Sequence, residues 1–451
     1  VSYGDYTETR GRKGGVSVLD GIRAAVSPET EVLYERGCNF LGQALHPFDP
    51  SMLRDENGES GLTGHYYNGP VPQGEPVQVR TDRTVNFNWI FALPHPALDA
   101  NCFSVVWTGS VVMPRTMDGC IGLSTQDSMR LYVDDKLLID GWGKDKSADQ
   151  ALDFHFEAGR TYKIRIEFVN DRRGARVIFG YSAGRENFPA AVEAARKADV
   201  AILCMGDNEE TSGENFDRTD LNLPGRQLEL VQAVYATGTP VVLVLQSGRP
   251  VTANWENDHL PAILEAWFPG EQGGTAIAKT LFGDAAPGGR LPITFPRSVG
   301  QIPCHYSRRP GGGKRYVEMD WLPLYPFGYG LTYTTFAYRD MALSRSVIDP
   351  QDTVTVSVTV TNTGKYTGDA VPQLYVRDMF SSVVKPERQL AAFRRLTLAP
   401  GESRRVELTV GPKQLRTLGP DYVWRVEPGK FELQLGDNAE NILLRADLTV
   451  E

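Results

Sequence analysis

Apolar and polar residues follow two rhythms along this chain, and each change of rhythm marks a change of architecture. Val200-Ala-Ile-Leu-Cys-Met205 is continuously apolar and follows a helical pattern, Pro189-Ala-Ala-Val-Glu-Ala-Ala-Arg-Lys-Ala198, with Pro near its start. That order predicts a helix feeding a buried parallel strand. Cys204, inside the run, reads as a small core hydrophobe. A second helix is expected from Arg226 to about Ala236, ended by Gly238 with Pro240 beyond it. Val241-Val-Leu-Val-Leu245 and Ala262-Ile-Leu-Glu-Ala-Trp267 are further strand-like runs, and a glycine-bearing helix opens in Gly270–Lys279. Near the start, Ser17-Val-Leu-Asp20 is a capping-box signal leading into Gly21-Ile-Arg-Ala-Ala-Val26, followed by the strand-like Glu31–Arg36. This first helix lacks the strand that should feed it, so the chain reads as starting inside a domain.

Between these α/β pieces the texture is all-β. Short alternating or aromatic runs recur between turn signals, as in Gly64–Asn68, Val85–Trp89, Phe103–Gly109, Met129–Val133 and Tyr162–Phe168. Such spacing predicts a β-sandwich. The polar stretch Asp55-Glu-Asn-Gly-Glu-Ser60 marks its expected beginning. From about Asp340 the chain is β-rich again, with Thr353-Val-Thr-Val-Ser-Val-Thr-Val-Thr361 alternating at period two before Asn362-Thr-Gly364. The expected organisation is an α/β domain in two parts, 1–57 and 186–322, interrupted by a β-sandwich over 58–185. A linker over 323–339 and a final β-sandwich over 340–451 follow.

A chain of 451 residues suggests about three domains, and 41% hydrophobic with 23% charged residues is ordinary for globular proteins. The net charge of −9 argues against nucleic acid as a partner. No apolar run is long enough to span a bilayer. Five scattered cysteines and six dispersed histidines form neither a disulfide framework nor a zinc spacing.

The chemistry concentrates in Ser212-Gly-Glu-Asn-Phe-Asp-Arg218, followed by Leu221-Asn-Leu-Pro-Gly-Arg-Gln227. Glu214 sits in a Gly/Asn/Ser-bordered loop after the Val200–Met205 run, where open α/β sheets gather functional groups. A carboxylic acid there can donate a proton to a leaving group, although spacing alone also fits an ordinary solvated acid.

The pattern Ser-Gly-Glu-x-aromatic-Asp-Arg, then Leu-x-Leu-Pro-Gly-x-Gln, resembles the acid/base loop of glycoside hydrolase family 3, the family of many β-glucosidases and β-xylosidases. The resemblance implies that Glu214 is the general acid/base and that Asp217 and Arg218 shape the loop. Asn215 stands where many members have Gly; Asn tolerates left-handed backbone, so the loop shape can survive. Gly61-Leu-Thr-Gly-His-Tyr-Tyr-Asn68, Arg130–Asp140 and Trp142 resemble the protective-antigen-like domain inserted in some members, where it restricts the aglycone side. Val360–Gly364, Gln373–Asp378 and Pro400-Gly-Glu402 resemble the family's fibronectin type III-like domain. Pro287–Pro296 and Leu324–Tyr333 match as well. Asp134-Asp135 invites a calcium reading, but with Lys136 and Leu137–Ile139 following, a strand-to-strand turn is the expectation.

The resemblance implies a retaining, exo-acting β-glycosidase of the β-glucosidase kind, using two carboxylates roughly 5 Å apart and no metal or organic cofactor. Its nucleophile Asp would come from an N-terminal (β/α) barrel that this chain does not contain, which makes that barrel segment the expected partner. A β-glucoside or short β-linked oligosaccharide is the expected substrate, and a second protomer the other expected neighbour. Glu209 and Glu210 share the loop of Glu214 and do not make a second catalytic carboxylate. Trp89 and Trp142 could touch the aglycone, but Trp is more often core. A cytoplasmic, periplasmic or secreted location all remain open.

Two other readings stand beside this one. A non-catalytic carbohydrate-binding or adhesion protein predicts sugar binding without dependence on Glu214. A nucleotide-binding protein would use Gly270-Glu-Gln-Gly-Gly274 or Pro310-Gly-Gly-Gly-Lys314, but neither has the required spacing. Helix–sheet packing explains the first and a turn the second.

Overall fold

A computed structural model describes residues 15–451 apart from 36, 39–44, 90–92, 126, 144–149, 172–174, 184–187, 209–210, 215 and 312–314. The chain divides into two compact units, one formed by 1–34, 195–224 and 234–451, the other by 35–194 and 225–233. The first is therefore discontinuous in sequence.

Within the first unit, the helix Val18–Ala25 starts at Ser17, whose hydroxyl accepts from Asp20 N at 3.1 Å, while Ser17 N donates to the Asp20 carboxylate at 3.3 Å. It packs on the helix Gly273–Leu281 through facing glycines: a Cβ on Gly274 would lie 2.0 Å from the Ser17 carbonyl oxygen. The glycine-rich helix start thus serves a helix–helix approach rather than the expected helix–sheet one. Chain segments far apart in sequence share this contact.

The strands Ala201–Gly206, Val241–Gln246 and Ala262–Glu265 form a parallel sheet in that order. Leu243 and Val244 in its middle strand are fully buried. Cys204 is exposed by its surface, contrary to its reading as a core residue, although its thiol is enclosed enough that burial pushes it up to about 11; among the described residues Ala201–Gly206 pairs on one side only. The expected strand at 31–36 is also absent among the described residues: 31–35 are irregular, and Leu33 and Tyr34 are exposed with no neighbouring strand to pair. Residue 36 lies outside the described residues.

The second unit carries a two-sheet sandwich. One sheet orders His46–Pro47, Arg176–Ala183, Met117–Thr125 and Gln150–Phe156, with Asn86–Asn88 beside Arg176–Ala183. The other orders Gln78–Asp82, Leu62–Asn68, Phe103–Val112, Thr161–Asn170, Ser128–Val133 and Lys136–Asp140, with Leu53–Arg54 against Phe103–Val112. Strand pairing therefore begins by His46, ahead of residue 58. The polar stretch at 55–60 is a turn inside the sandwich, where the Asp55 carboxylate accepts from Asn57 N and Glu59 N. Asp134 and Asp135 form the tight turn between Ser128–Val133 and Lys136–Asp140, both at positive φ. Among the described residues no cluster of three or more metal-ligating side chains exists, at this turn or elsewhere. Trp89 is core, stacked on Phe87 and edge-on to Phe103. Trp142 is half-buried beneath the Arg130 guanidinium.

The C-terminal sandwich has an aliphatic core. Phe336–Leu343, Val354–Asn362 and Ser403–Val410 form one sheet, and Val347–Ile348, Ile442–Val450, Gly429–Gly436, Gln373–Asp378 and Gln389–Phe393 the other. Val354, Val356, Val358 and Val360 point inward with no exposure, as period-two alternation requires. The sandwich starts at Phe336 rather than 340. The segment ahead of it is packed rather than a loose linker: Gly328 N donates to Leu291 O at 2.8 Å, and the Gln373 amide donates to Gly328 O at 3.0 Å.

Candidate active site

In a parallel sheet all strands end on one side, and the loops after these three strands converge there. The first runs from Asp207 to Pro224 and carries Glu214. Two hydrogen bonds start it as a tight turn: Ser212 N to Asn208 O at 3.0 Å and Thr211 N to the same oxygen at 3.2 Å. The second, Ser247–Ala253, presses between the first and third. A Cβ on Gly248 would meet the Ser212 hydroxyl at 2.8 Å and the Phe268 ring at 2.9 Å, so no side chain fits there.

Asp207 is the electrostatic centre of this end, only 2% exposed. Its carboxylate accepts from the Thr211 hydroxyl at 3.0 Å, pairs with Arg218 Nη1 at 3.3 Å and faces Arg249 Nε at 3.6 Å. The arginines do more than neutralise it. Arg249 Nη2 donates to Thr211 O at 3.3 Å and Phe216 O at 3.4 Å, and Arg218 Nη2 donates to Asn222 O at 2.8 Å. Farther along, Thr252 N donates to Leu221 O at 2.9 Å, tying the Leu-Asn-Leu segment to the second loop.

Glu214 lies between the two carbonyls held by Arg249 and is exposed. Asp217 is exposed as well, whereas Arg218 turns inward. Glu209, Glu210 and Asn215 lie outside the described residues.

The third loop brings another acid. Glu265, the last residue of its strand, accepts from Trp267 N at 2.9 Å through Oε1, while Oε2 is enclosed and makes no hydrogen bond among the described residues. Burial, augmented by the charge of Asp207, pushes its carboxyl up to about 8, so it is mainly protonated at neutral pH. Trp267 adopts a left-handed φ of 52°, a conformation costing a bulky residue of order 1–3 kcal/mol and typical of functional loops. Sequence reasoning missed Asp207, Arg249 and Glu265. The signal that could have found them is shared: each sits within three residues of the carboxyl end of a parallel strand.

The molecule is thus an α/β domain presenting an acidic loop at its strand ends, joined to a C-terminal β-sandwich. Residues 1–333 match the glycosyl hydrolase family 3 C-terminal domain and residues 370–439 the fibronectin type III-like domain, and the chain belongs to glycoside hydrolase family 3. A β-xylosidase of Formosa agariphila is 45% identical over 302 residues, covering 64% of this chain and 42% of the relative. A β-glucosidase of Rhizobium radiobacter is 34% identical over 469 residues, covering 96% of this chain and 55% of the relative. Among solved structures, the β-glucosidase of Kluyveromyces marxianus in complex with glucose superposes with a TM-score of 0.71 at 28% identity, covering 97% of this chain and 56% of that one. The chain therefore spans about half the length of the relatives it matches. Among the described residues no helix is long and apolar enough to cross a membrane.

Proposed function

We propose that this chain is the acid/base-bearing part of a retaining, exo-acting β-glycosidase, most simply a β-glucosidase. Glu214 is the proton donor and acceptor, and the nucleophile Asp comes from a (β/α)-barrel segment. The observation that carries this reading is the placement of an exposed Glu214 on a loop braced at the strand ends, in a chain of this family. In the first step the nucleophile attacks the anomeric carbon while Glu214 protonates the departing glycosidic oxygen. In the second, Glu214 takes a proton from water, which displaces the enzyme carboxylate and releases the sugar with retained configuration. Asp217 and Arg218 shape the loop. The β-sandwich interrupting the α/β domain is of the protective-antigen-like kind.

Both relatives with long matches act, by their names, on β-linked glucose or xylose. A β-glucoside is the favoured substrate because the β-glucosidase match extends over 96% of this chain. The test is kcat/KM of Glu214→Ala in the enzyme complete with its barrel segment. A fall of about 10²–10⁴-fold is expected for substrates with poor leaving groups, with little change for activated aryl glycosides. Unchanged hydrolysis of cellobiose by this variant would refute the assignment. Paired assays of aryl β-glucoside and β-xyloside decide the glycone, and mass spectrometry of the active preparation, native and denatured, checks for the barrel segment.

A further inference from the structure

We infer that Asp207 is a positioning residue for the proton-transfer step, holding the Glu214 loop in its working shape through Arg218 and Arg249. The inference rests on reading Glu214 as the acid/base and adds what sets its geometry.

The argument starts from cost. Burying a carboxylate at 2% exposure is expensive unless cations and hydrogen bonds compensate, and a buried ion pair by itself is weak evidence of stabilisation. Here the compensating groups have a direction. Arg249 comes from the loop after the neighbouring strand Val241–Gln246, so its position is indexed to the sheet rather than to the first loop itself. Its Nη2 bonds to the carbonyls of Thr211 and Phe216 bracket Glu214, three residues after one and two before the other. At 3.3 and 3.4 Å these bonds are individually long, so their value lies in fixing backbone geometry. Arg218 does the same on the far side, holding Asn222 O and the Asp220 carboxylate. Asp207 is the anion on which both guanidiniums converge, and the Thr211 hydroxyl adds a third tie at the base of the loop.

Removing the charge of Asp207 has two consequences. The loop loses its anchor, so the carboxyl carried by Glu214 samples more positions; misplacement of a catalytic group by about 1 Å costs of order 10²-fold. The two guanidiniums also lose their shared counterion, and an excess of positive charge favours the ionised form of nearby carboxyls. Among the described residues the charged groups facing the cluster are Arg218, Arg249 and Glu265, with Glu214, Asp217 and Asp220 along the loop.

The test compares Asp207→Asn, Asp207→Glu and Glu214→Ala in the complete enzyme, by kcat/KM against pH on aryl β-glucosides of graded leaving-group ability. For Asp207→Asn, kcat/KM should fall about 10–100-fold with poor leaving groups and less than about threefold with the best. The alkaline limb of its pH profile should move to lower pH, and Asp207→Glu should restore part of the loss. An equal loss across the series, with an unmoved alkaline limb, would reduce Asp207 to a structural role and overturn the inference. If Asp207→Asn does not fold, Arg249→Met is read in its place and should steepen leaving-group dependence; no steepening overturns the inference. Glu214→Ala separates the two readings. Native activity there refutes the acid/base assignment itself, whereas a crippled Glu214→Ala beside a leaving-group-insensitive Asp207→Asn refutes only the positioning role.

Discussion

Asp82 in the aromatic sandwich and Asp207 at the end of the parallel sheet are both closed off from solvent, at 6% and 2% exposure, and each gathers arginine and hydroxyl donors. Their partners differ in kind. Around Asp82 they are side chains of one sandwich: the Tyr66 hydroxyl, Trp107 Nε1 at 2.8 Å and Arg80 Nε at 2.7 Å. Tyr66 and Trp107 are themselves fully buried and lie edge-to-face, so this aspartate satisfies the polar ends of a core. Around Asp207 the arginines pass through to backbone carbonyls of a loop that stays exposed at Glu214. The same chemistry, a buried carboxylate with cationic partners, serves packing in one region and placement in the other. What distinguishes the two is which carbonyls the remaining donors hold: Arg80 Nη1 reaches Pro94 O at 3.0 Å within the sandwich, whereas Arg249 and Arg218 reach carbonyls on either side of Glu214.

That distinction can be broken by mutation. The largest stability effect should come from Asp82→Ala, which leaves Arg80, Tyr66 and Trp107 without their shared acceptor. A loss of about 3–5 kcal/mol is expected, read by denaturant unfolding with tryptophan fluorescence. The leaving-group dependence of the enzyme should stay unchanged, and a steepened dependence would erase the contrast with Asp207.

A smaller cost, about 1–3 kcal/mol, is expected for Gly274→Ala, because its Cβ would collide with the Ser17 carbonyl and push the two helices apart. Unfolding midpoints check this, and an unchanged midpoint would mean that the facing glycines are not a tight contact. A subtler effect concerns Glu265. Its folded carboxyl titrates near 8, above the ordinary value of 4.5, so the folded state holds a proton that the unfolded state releases between those values. The native protein therefore loses stability as pH rises from about 4.5 to about 8. Glu265→Gln removes that loss: its unfolding midpoint should exceed the native one at pH 8 and equal it at pH 4. A midpoint difference independent of pH would show that the carboxyl is not held protonated by burial. The smallest effect belongs to Lys163→Ala, whose partner Asp135 is itself exposed at the surface turn; the unfolding midpoint should barely move.

Much of this architecture was legible in the sequence where one periodicity ran unbroken. Val354–Asn362 alternates strictly, and every inward valine is buried. The capping box at Ser17 fixed the start of the first helix to the residue. Legibility failed where a local signal had two meanings. The polar stretch 55–60 carries the composition of a domain boundary but forms a turn, because the strand before it already pairs with Phe103–Val112. Glu31–Arg36 has apolar residues at strand-like positions, yet residues 31–35 pair with no strand among the described residues, and pairing is not written in a single segment. Cys204 sits in an apolar run that predicts burial, and its neighbours Ala201 and Met205 are buried, but Cys204 keeps surface exposure on a strand paired on one side only among the described residues. At the site, the Glu214 loop stood out by its motif. Asp207, Arg249 and Glu265 did not, since they meet only when three strands separated in sequence lie side by side.

The central claim, that Glu214 is the acid/base, is tested most directly by the product formed when Glu214→Ala turns over an activated β-glucoside in azide. Azide needs no general base and enters the open side of the glycosyl-enzyme, so an accelerated rate with β-glucosyl azide as product is predicted. An α-glucosyl azide would instead assign Glu214 as the nucleophile, and unimpaired hydrolysis without any azide adduct would remove it from the chemistry altogether.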